Sequence, residues 1–204
     1  ACIVKTGNLI AATEEERFTR IKHFSGFPKN SIDFCLKEAN ISLKDIDFVA
    51  VNYDKLHNIK EKVKFSLSNI FLSNILGKAL FSIKKNSLNQ MFIKTYGIDL
   101  EKKIVHVPHH IAHILSTFYF YDLKRGIGLS IDGSGDFSTS EIYELGQEIS
   151  LIEKINYPHS LGIFYQSMTQ LLGFKNYGDE YKIMGLASYG EPVYKDRIKK
   201  IIYK

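Results

Sequence analysis

Residues 127–136 place the tightest constraint on the fold, because apolar side chains alternate there with small or polar ones. The stretch reads Ile-Gly-Leu-Ser-Ile-Asp-Gly-Ser-Gly-Asp. Alternation with a period of two predicts a β-strand, and the glycines after Asp132 predict a turn at its end. We therefore expect the Asp132 carboxylate on the side opposite the apolar side chains, at the edge of a glycine turn.

A histidine cluster precedes this strand, since four of the seven histidines lie between residues 106 and 113. Pro108 suits the first turn of a helix. On such a helix His109 and His113, four residues apart, share one face, with Cβ atoms about 6 Å apart. Two imidazoles and the Asp132 carboxylate form an open ligand set for iron, zinc or manganese. The sequence therefore predicts that His109, His113 and Asp132 bind a metal ion.

Both motifs also have simpler interpretations. Histidines at this spacing occur on half-exposed helices that bind nothing. Residues 133–135 on their own are more typical of a hairpin turn than of a phosphate-binding loop. Their occurrence together, within 30 residues of each other, favours a functional centre.

The composition is that of a globular protein, with 204 residues, 45% of them apolar and 24% charged. This length suffices for one large domain or two small ones. Cys2 and Cys35 do not indicate a disulfide framework, so a reducing, cytoplasmic location is expected. The first residues lack the pattern of a signal peptide. A start without Met and a helix-like run over residues 199–204 lead us to expect a piece of a longer protein.

The positive charge is concentrated in residues 55–103, where ten lysines face three acidic residues, against a net charge of +5 for the chain. Such a segment can attract nucleic acid, anionic membranes or anionic cofactors. It has no interleaved arginines and no nucleic-acid motif, so no nucleic-acid partner is predicted. Outside it, Arg17, Arg20 and Lys22 either belong to a solvated surface or line a path for anions.

The remaining patterns predict α/β organisation. We expect a hairpin over residues 2–13, a helix over residues 27–39 and a strand over residues 45–51. Apolar residues at helical spacing predict two amphipathic helices within residues 55–95. Polar residues interrupt residues 65–83 and argue against an integral membrane segment. We therefore predict a helical insertion over about residues 55–100, with a role at a membrane surface as the weaker alternative.

Further elements are expected after the centre. Residues 139–144 and 149–154 are typical of antiparallel strands. Ser160 is predicted to be the N-cap of the next helix rather than a nucleophile. The glycine-punctuated stretch 178–190 predicts a loop and a short helix, from which Lys182 could meet phosphate as a point charge.

Five stretches of the chain resemble, in family order, the carbamoyltransferases that include the nodulation-factor, cephamycin and tobramycin O-carbamoyltransferases. They are residues 14–23, 109–113, 131–136, 158–162 and 178–190. Together they cover almost the whole chain. The resemblance implies the first half of an actin/Hsp70-type ATPase fold of the ribonuclease H-like class, carrying the helical insertion, over residues 1–204.

The resemblance also implies a chemistry. His109, His113 and Asp132 match three ligands of a divalent metal, with iron expected, at the phosphates of ATP. Two further sets of residues are implied. The candidate cofactor-binding residues are Gly133, Ser134, Gly135 and Gly185, and the candidate catalytic residues are Glu180 and Lys182. The family makes carbamoyl adenylate from carbamoyl phosphate and ATP and then passes the carbamoyl group to a hydroxyl of a sugar or natural product.

Three parts of the family pattern are not in this sequence. They are a His-Asp-Ser stretch ahead of residue 1, the second half of the fold with a further carboxylate ligand, and a C-terminal adenylate-forming domain. We therefore expect these 204 residues alone to bind metal or nucleotide weakly and to turn over nothing.

Other functions stay open. The tRNA threonylcarbamoyl-transfer family shares the fold and the paired histidines but carries a glutamate between them, where this chain has His110, Ile111 and Ala112. The carbamoyl-transferring hydrogenase maturation proteins fit residues 178–190 less well. A non-catalytic nucleotide-binding module is the alternative of another class. The sequence does not identify the acceptor.

Overall fold

A computed structural model describes residues 1–68, 88–121 and 123–202, and the chain divides into two compact units, Ala1–Val107 and Pro108–Lys204. The first unit contains β1 (Cys2–Lys5), β2 (Asn8–Ala12), α1 (Glu16–Thr19), α2 (Lys29–Glu38), β3 (Val49–Val51), α3 (Ile59–Ser68), α4 (Leu88–Tyr96) and β4 (Ile104–His106). The second contains α5 (His109–Phe120), β5 (Gly126–Gly135), β6 (Ser138–Leu145), β7 (Ile149–Asn156), α6 (Leu161–Leu171), α7 (Glu180–Ala187) and α8 (Lys195–Ile202). The mixed α/β class predicted from the sequence is confirmed.

In the first unit, β1 and β2 form the predicted antiparallel hairpin, and β3 pairs in parallel with β4. The strand expected over residues 45–51 is shorter than predicted. The Asp45 carboxylate accepts hydrogen bonds from the backbone N–H of Ser42 at 2.8 Å and from its hydroxyl at 2.7 Å. This capping box holds Leu43–Asp45 in a 3₁₀ turn, and the paired strand begins only at Val49.

The core of this unit joins α2 and α4, and its buried residues are Leu43, Phe92 and Leu100. The rings of Phe27 and Phe92 meet edge to face with centroids 5.1 Å apart. Such aromatic pairs add about 0.5–1.5 kcal/mol to the burial of their apolar area. The predicted helix over residues 27–39 is thereby confirmed as α2, with its apolar side on this core.

Glu15 caps α2 from outside the helix. Pro28, at the N-cap position, offers no side-chain acceptor. The Glu15 carboxylate, in a residue only 8% exposed, accepts from the backbone N–H of Ser31 at 2.8 Å and of Asn30 at 3.2 Å. One of the family-like stretches, residues 14–23, therefore contains a residue whose contacts are structural.

Replacing Glu15 by Ala is expected to lower the free energy of unfolding by about 1–2 kcal/mol, the usual effect of losing a helix cap. Burial disfavours the charged form, but hydrogen bonds from Ser31 and Asn30 outweigh it and lower the pKa of Glu15. A lowered pKa stabilises the fold above the pKa of the unfolded chain, about 4.3, and this contribution is lost as the pH falls through the pKa of the folded state.

Urea unfolding of wild type and Glu15→Ala measures the contribution of the Glu15 carboxylate to the free energy of unfolding. It is recorded at pH 7 and below about pH 3. The difference between the two proteins should shrink in acid. Glu14→Ala is the matched control, because Glu14 pairs with Arg17 at 3.2 Å and both side chains are well exposed, a contact worth little. An undiminished difference at acidic pH would contradict a role for the carboxylate charge.

Helices α3 and α4 lie near the two ends of the predicted insertion. Residues 69–87, which include most of the apolar stretch 65–83, lie outside the described residues. Across the parts of the chain that are described, every helix is too short or too polar to cross a membrane.

The second unit is built on the antiparallel sheet β5–β6–β7, which confirms the strands predicted after the centre. Helix α5 packs on one side of it through Ile114 and Phe118, which are buried with Tyr143 and Leu145. A Cβ atom on Gly128 would overlap the Ile114 side chain, so the absence of a side chain there lets the helix approach.

The alternation in β5 is as predicted, with Asp132 opposite the apolar side chains. In this unit, however, the side that carries Gly128 and Ser130 is the buried one. Ile127, Leu129 and Ile131 are 53–64% exposed. The helix sits on the small residues because only they leave room for its close approach.

The prediction of a glycine turn directly after Asp132 is wrong, because the turn comes later in the chain. Residues 132–134 fall out of register with β6 and form a bulge between the pairs Ile131–Ser140 and Gly135–Ser138. The chain reverses at Asp136 and Phe137, both in the left-handed region with φ of 52° and 79°. Two successive left-handed residues make a tight hairpin turn without a glycine at either position.

Candidate metal centre

Three predicted ligands converge at the junction of α5 and β5. The Nε2 atom of His109 lies 2.7 Å from Oδ2 of Asp132 and 3.0 Å from Nε2 of His113. Nε2 of His113 is 3.8 Å from the same carboxylate oxygen. Each side chain thus offers one ligand atom to a common point, and the three atoms lie within 4.8 Å of one another.

This triangle has the dimensions of a metal site. An ion with bonds of about 2.1 Å to nitrogen and oxygen holds neighbouring ligand atoms roughly 3.0–3.4 Å apart, and the observed separations of 2.7–3.8 Å bracket that range. The donors are two imidazole nitrogens and one carboxylate oxygen, a set that leaves open positions for further ligands. The residues therefore fit a divalent cation of the iron, zinc or manganese type.

The charge of Asp132 also suits a ligand. Burial opposes its ionisation, but the hydrogen bond from His109 and that from the backbone N–H of Gly133, at 2.6 Å, outweigh it and lower the pKa of Asp132. Its carboxylate is therefore ionised at neutral pH. The Gly133 bond uses Oδ1, so that Oδ2 faces the two histidines.

Local structure explains why these side chains meet. His109 and His113 are one turn apart on α5, while Asp132 projects from the bulge in β5. Bulges re-aim side chains next to functional sites. A Cβ atom added to Gly135 would overlap the His109 ring and lie 2.8 Å from the Cβ atom of His109. His109 can lie here because residue 135 has no side chain.

Further residues that sequence reasoning missed hold the two elements together. The backbone N–H of His109 donates to Oδ2 of Asp136 at 2.8 Å. The buried His110 ring lies with Nδ1 2.7 Å from Oγ of Ser130 on β5. Asp136 lies inside one of the family-like stretches. Its capping of α5 has no local sequence signal, because the capped residue is 27 positions away.

Helix α6 also contacts the bulge. Ser160 is its N-cap, as predicted, and accepts from the backbone N–H of Ile163 at 3.0 Å while its hydroxyl donates to the carbonyl of Gly133 at 2.7 Å. A Cβ on Gly162 would lie 2.6 Å from the Gly133 nitrogen. The start of α6 is therefore in direct contact with the peptide that follows Asp132.

The other candidate residues have different surroundings. Gly133 and Ser134 lie in the bulge beside Asp132. Lys182 pairs with Asp179 at 2.7 Å, and its hydrogen bond to that carboxylate raises the pKa of the Lys182 amine. Glu180 begins α7. Among the described residues, the hydrogen bonds and ion pairs of Glu180 and Lys182 do not reach the three ligands, and a Cβ on Gly185 would meet open space.

Comparison with known proteins identifies the family of the chain. The profile of the family described as "Carbamoyltransferase N-terminus" matches residues 1–204. The chain belongs to the carbamoyltransferase family. The resemblance inferred from the five sequence stretches is thereby confirmed.

Three relatives that match most of the chain are much longer than it. The uncharacterized protein sll1178 of Synechocystis is 33% identical over 213 residues, which cover 97% of this chain and 34% of that protein. Nodulation protein NolNO of Sinorhizobium fredii is 33% identical over 194 residues, covering 94% and 28%. The uncharacterized protein MJ1051 of Methanocaldococcus jannaschii is 30% identical over 191 residues, covering 92% and 30%. The chain thus spans about a third of these relatives.

Proposed function

We propose that the intact protein is an O-carbamoyltransferase that uses carbamoyl phosphate and ATP, with this chain holding its metal ion through His109, His113 and Asp132. The observation that carries the proposal is the convergence of these three side chains in a chain whose whole length matches the carbamoyltransferase family. The proposed acceptor is a hydroxyl of a sugar or natural product, as the family resemblance implies.

The chemistry follows from the donor set. A bound divalent cation supplies Lewis-acid stabilisation to phosphate and carbonyl oxygens. The chain would contribute imidazole nitrogens from His109 and His113 and the carboxylate of Asp132. The bulge keeps the Asp132 carboxylate at the edge of the sheet, where a ligand can reach it. The backbone N–H of Gly133 already donates to Oδ1 of Asp132, so the backbone of Ser134 is the proposed phosphate contact in the bulge.

We also propose that the two units belong to an actin/Hsp70-type domain of the ribonuclease H-like class. Two features support this. The first unit runs as a hairpin, helix α2 and then a parallel strand pair, and the second as the meander β5–β6–β7 followed directly by helix α6. Each unit thus contains antiparallel strands that lead into a helix, the mixed α/β organisation that the first half of such a domain requires.

A product assay on the intact protein tests the function. Carbamoyl phosphate, ATP and a set of sugar acceptors are expected to give a carbamoylated sugar, detected as a mass increase on the acceptor. Asp132→Asn should abolish the product, and Glu148→Gln, on the turn between β6 and β7, should not. Product with tRNA, threonine, bicarbonate and ATP in place of carbamoyl phosphate and the sugar would assign the protein to threonylcarbamoyl transfer. If no product forms with either acceptor, the nucleotide-binding module is favoured.

A further inference from the structure

The first turn of α5 is capped by a residue from a distant part of the second unit. The first N–H groups of a helix have no partner within the helix, and Pro108, at the N-cap position, provides no side-chain acceptor. Oδ2 of Asp136 accepts the backbone N–H of His109 at 2.8 Å. Asp136 lies in the turn between β5 and β6, so the cap comes from the same hairpin that carries Asp132.

We propose that Asp136 is a positioning residue of the metal centre, which fixes His109 relative to Asp132. The inference rests on the proposed metal site. His109 is both the first residue of the helix and a ligand, and two contacts tie it to one hairpin. Its backbone N–H bonds to Asp136 at 2.8 Å and its ring nitrogen bonds to Asp132 at 2.7 Å. Two anchors on one residue determine both where its backbone lies and where its ring points.

The turn that presents Asp136 is unusual for its sequence. Tight turns with two left-handed residues favour Asn-Gly, whereas here Asp136 has φ 52° and Phe137 has φ 79°. A bulky residue with positive φ persists only where its surroundings impose it. Phe137 is held by its carbonyl, which accepts the backbone N–H of Tyr157 at 3.0 Å. This hydrogen bond helps to hold the turn from which Asp136 reaches α5.

A cap that serves stability alone would look the same in the structure, so the test must separate the two roles. Asp136→Gly and Asp136→Asn both suit a left-handed turn residue. They differ in the cap, because asparagine keeps a side-chain oxygen acceptor and glycine has none. Asp45→Ala is the control, since it removes a cap in the first unit, far along the chain from the ligands.

The experiment titrates the intact protein with Co²⁺ against a chromophoric chelator and records the visible cobalt spectrum and the thermal unfolding midpoint. Asp136→Gly is expected to weaken Co²⁺ binding about tenfold or more, in the range seen when residues that orient ligands are lost, and to change the cobalt spectrum. Asp136→Asn should stay within about threefold of wild type, because the acceptor is kept. Asp45→Ala should lower the midpoint and leave cobalt binding unchanged.

The outcomes are distinct. Wild-type affinity and spectrum in Asp136→Gly would overturn the positioning role and leave the metal centre standing. A glycine variant that unfolds while the asparagine variant folds and binds normally would assign Asp136 to the fold alone and also overturn it. No cobalt uptake by wild type would overturn the proposed metal centre, and this inference with it.

Discussion

His113→Ala is expected to abolish metal uptake by the intact protein while leaving its fold unchanged. Wild type should contain close to one ion per chain by elemental analysis, in the presence of ATP. The His113 side chain is 56% exposed, so its removal leaves no cavity. It removes one of the three ligand atoms, which should weaken binding by more than the roughly 10–100-fold lost when an outer residue is changed.

His106→Ala is the matched control for this experiment. His106 belongs to the same histidine-rich stretch of sequence, but it lies at the end of β4, where its Nδ1 is 3.0 Å from the carbonyl of Tyr53. The His106→Ala variant should retain the ion. A full ion in His113→Ala would remove His113 from the ligand set. The absence of any ion from wild type, with and without ATP, would contradict the metal assignment as a whole.

Gly135→Ala is expected to damage the centre although it replaces none of the three ligands. The added Cβ would overlap the His109 ring, so the ring must move away from Asp132 and break their contact of 2.7 Å. Metal content should fall as in a ligand variant. Forcing an extra methyl group into a packed site also lowers the free energy of unfolding, by about 1–3 kcal/mol.

Gly126→Ala provides the comparison on the same strand, because a Cβ at Gly126 would meet no atom within 4 Å. Metal content and the free energy of unfolding, measured on wild type and both variants, check the prediction. Only Gly135→Ala should lose the ion. A fully loaded Gly135→Ala protein would show that His109 can occupy its place beside a side chain at residue 135, against the geometry described here.

The sequence predicts those features that depend on local periodicity. Alternation in residues 127–132 identified β5, and a spacing of four placed His109 and His113 on one helix face. Ser160 was recognisable as an N-cap because caps have a strong residue preference. In each case the residues that determine the structure lie within a few positions of one another.

Features set by distant contacts were not predictable in this way. The bulge at residues 132–134 and the turn at Asp136 and Phe137 contradict the local signal, since the glycines lie in the strand and a phenylalanine in the turn. The capping box of Ser42 and Asp45, a local feature that the interpretation overlooked, delays the start of the expected strand to Val49. The buried side of β5 was decided by where α5 packs, which alternation alone does not encode.

The short chain between the ligands has a consequence for how the centre assembles. His109 and Asp132 are separated by 23 positions, and the cap from Asp136 adds only four more residues. The entropy lost on closing a loop grows with its length, and structures dominated by contacts between residues near in sequence form fast. The contacts of His109 with Asp132 and Asp136 lie within one α-helix and one β-hairpin that are consecutive in the chain. We therefore expect this part of the centre to form fast, as soon as the ribosome has made the helix and the hairpin.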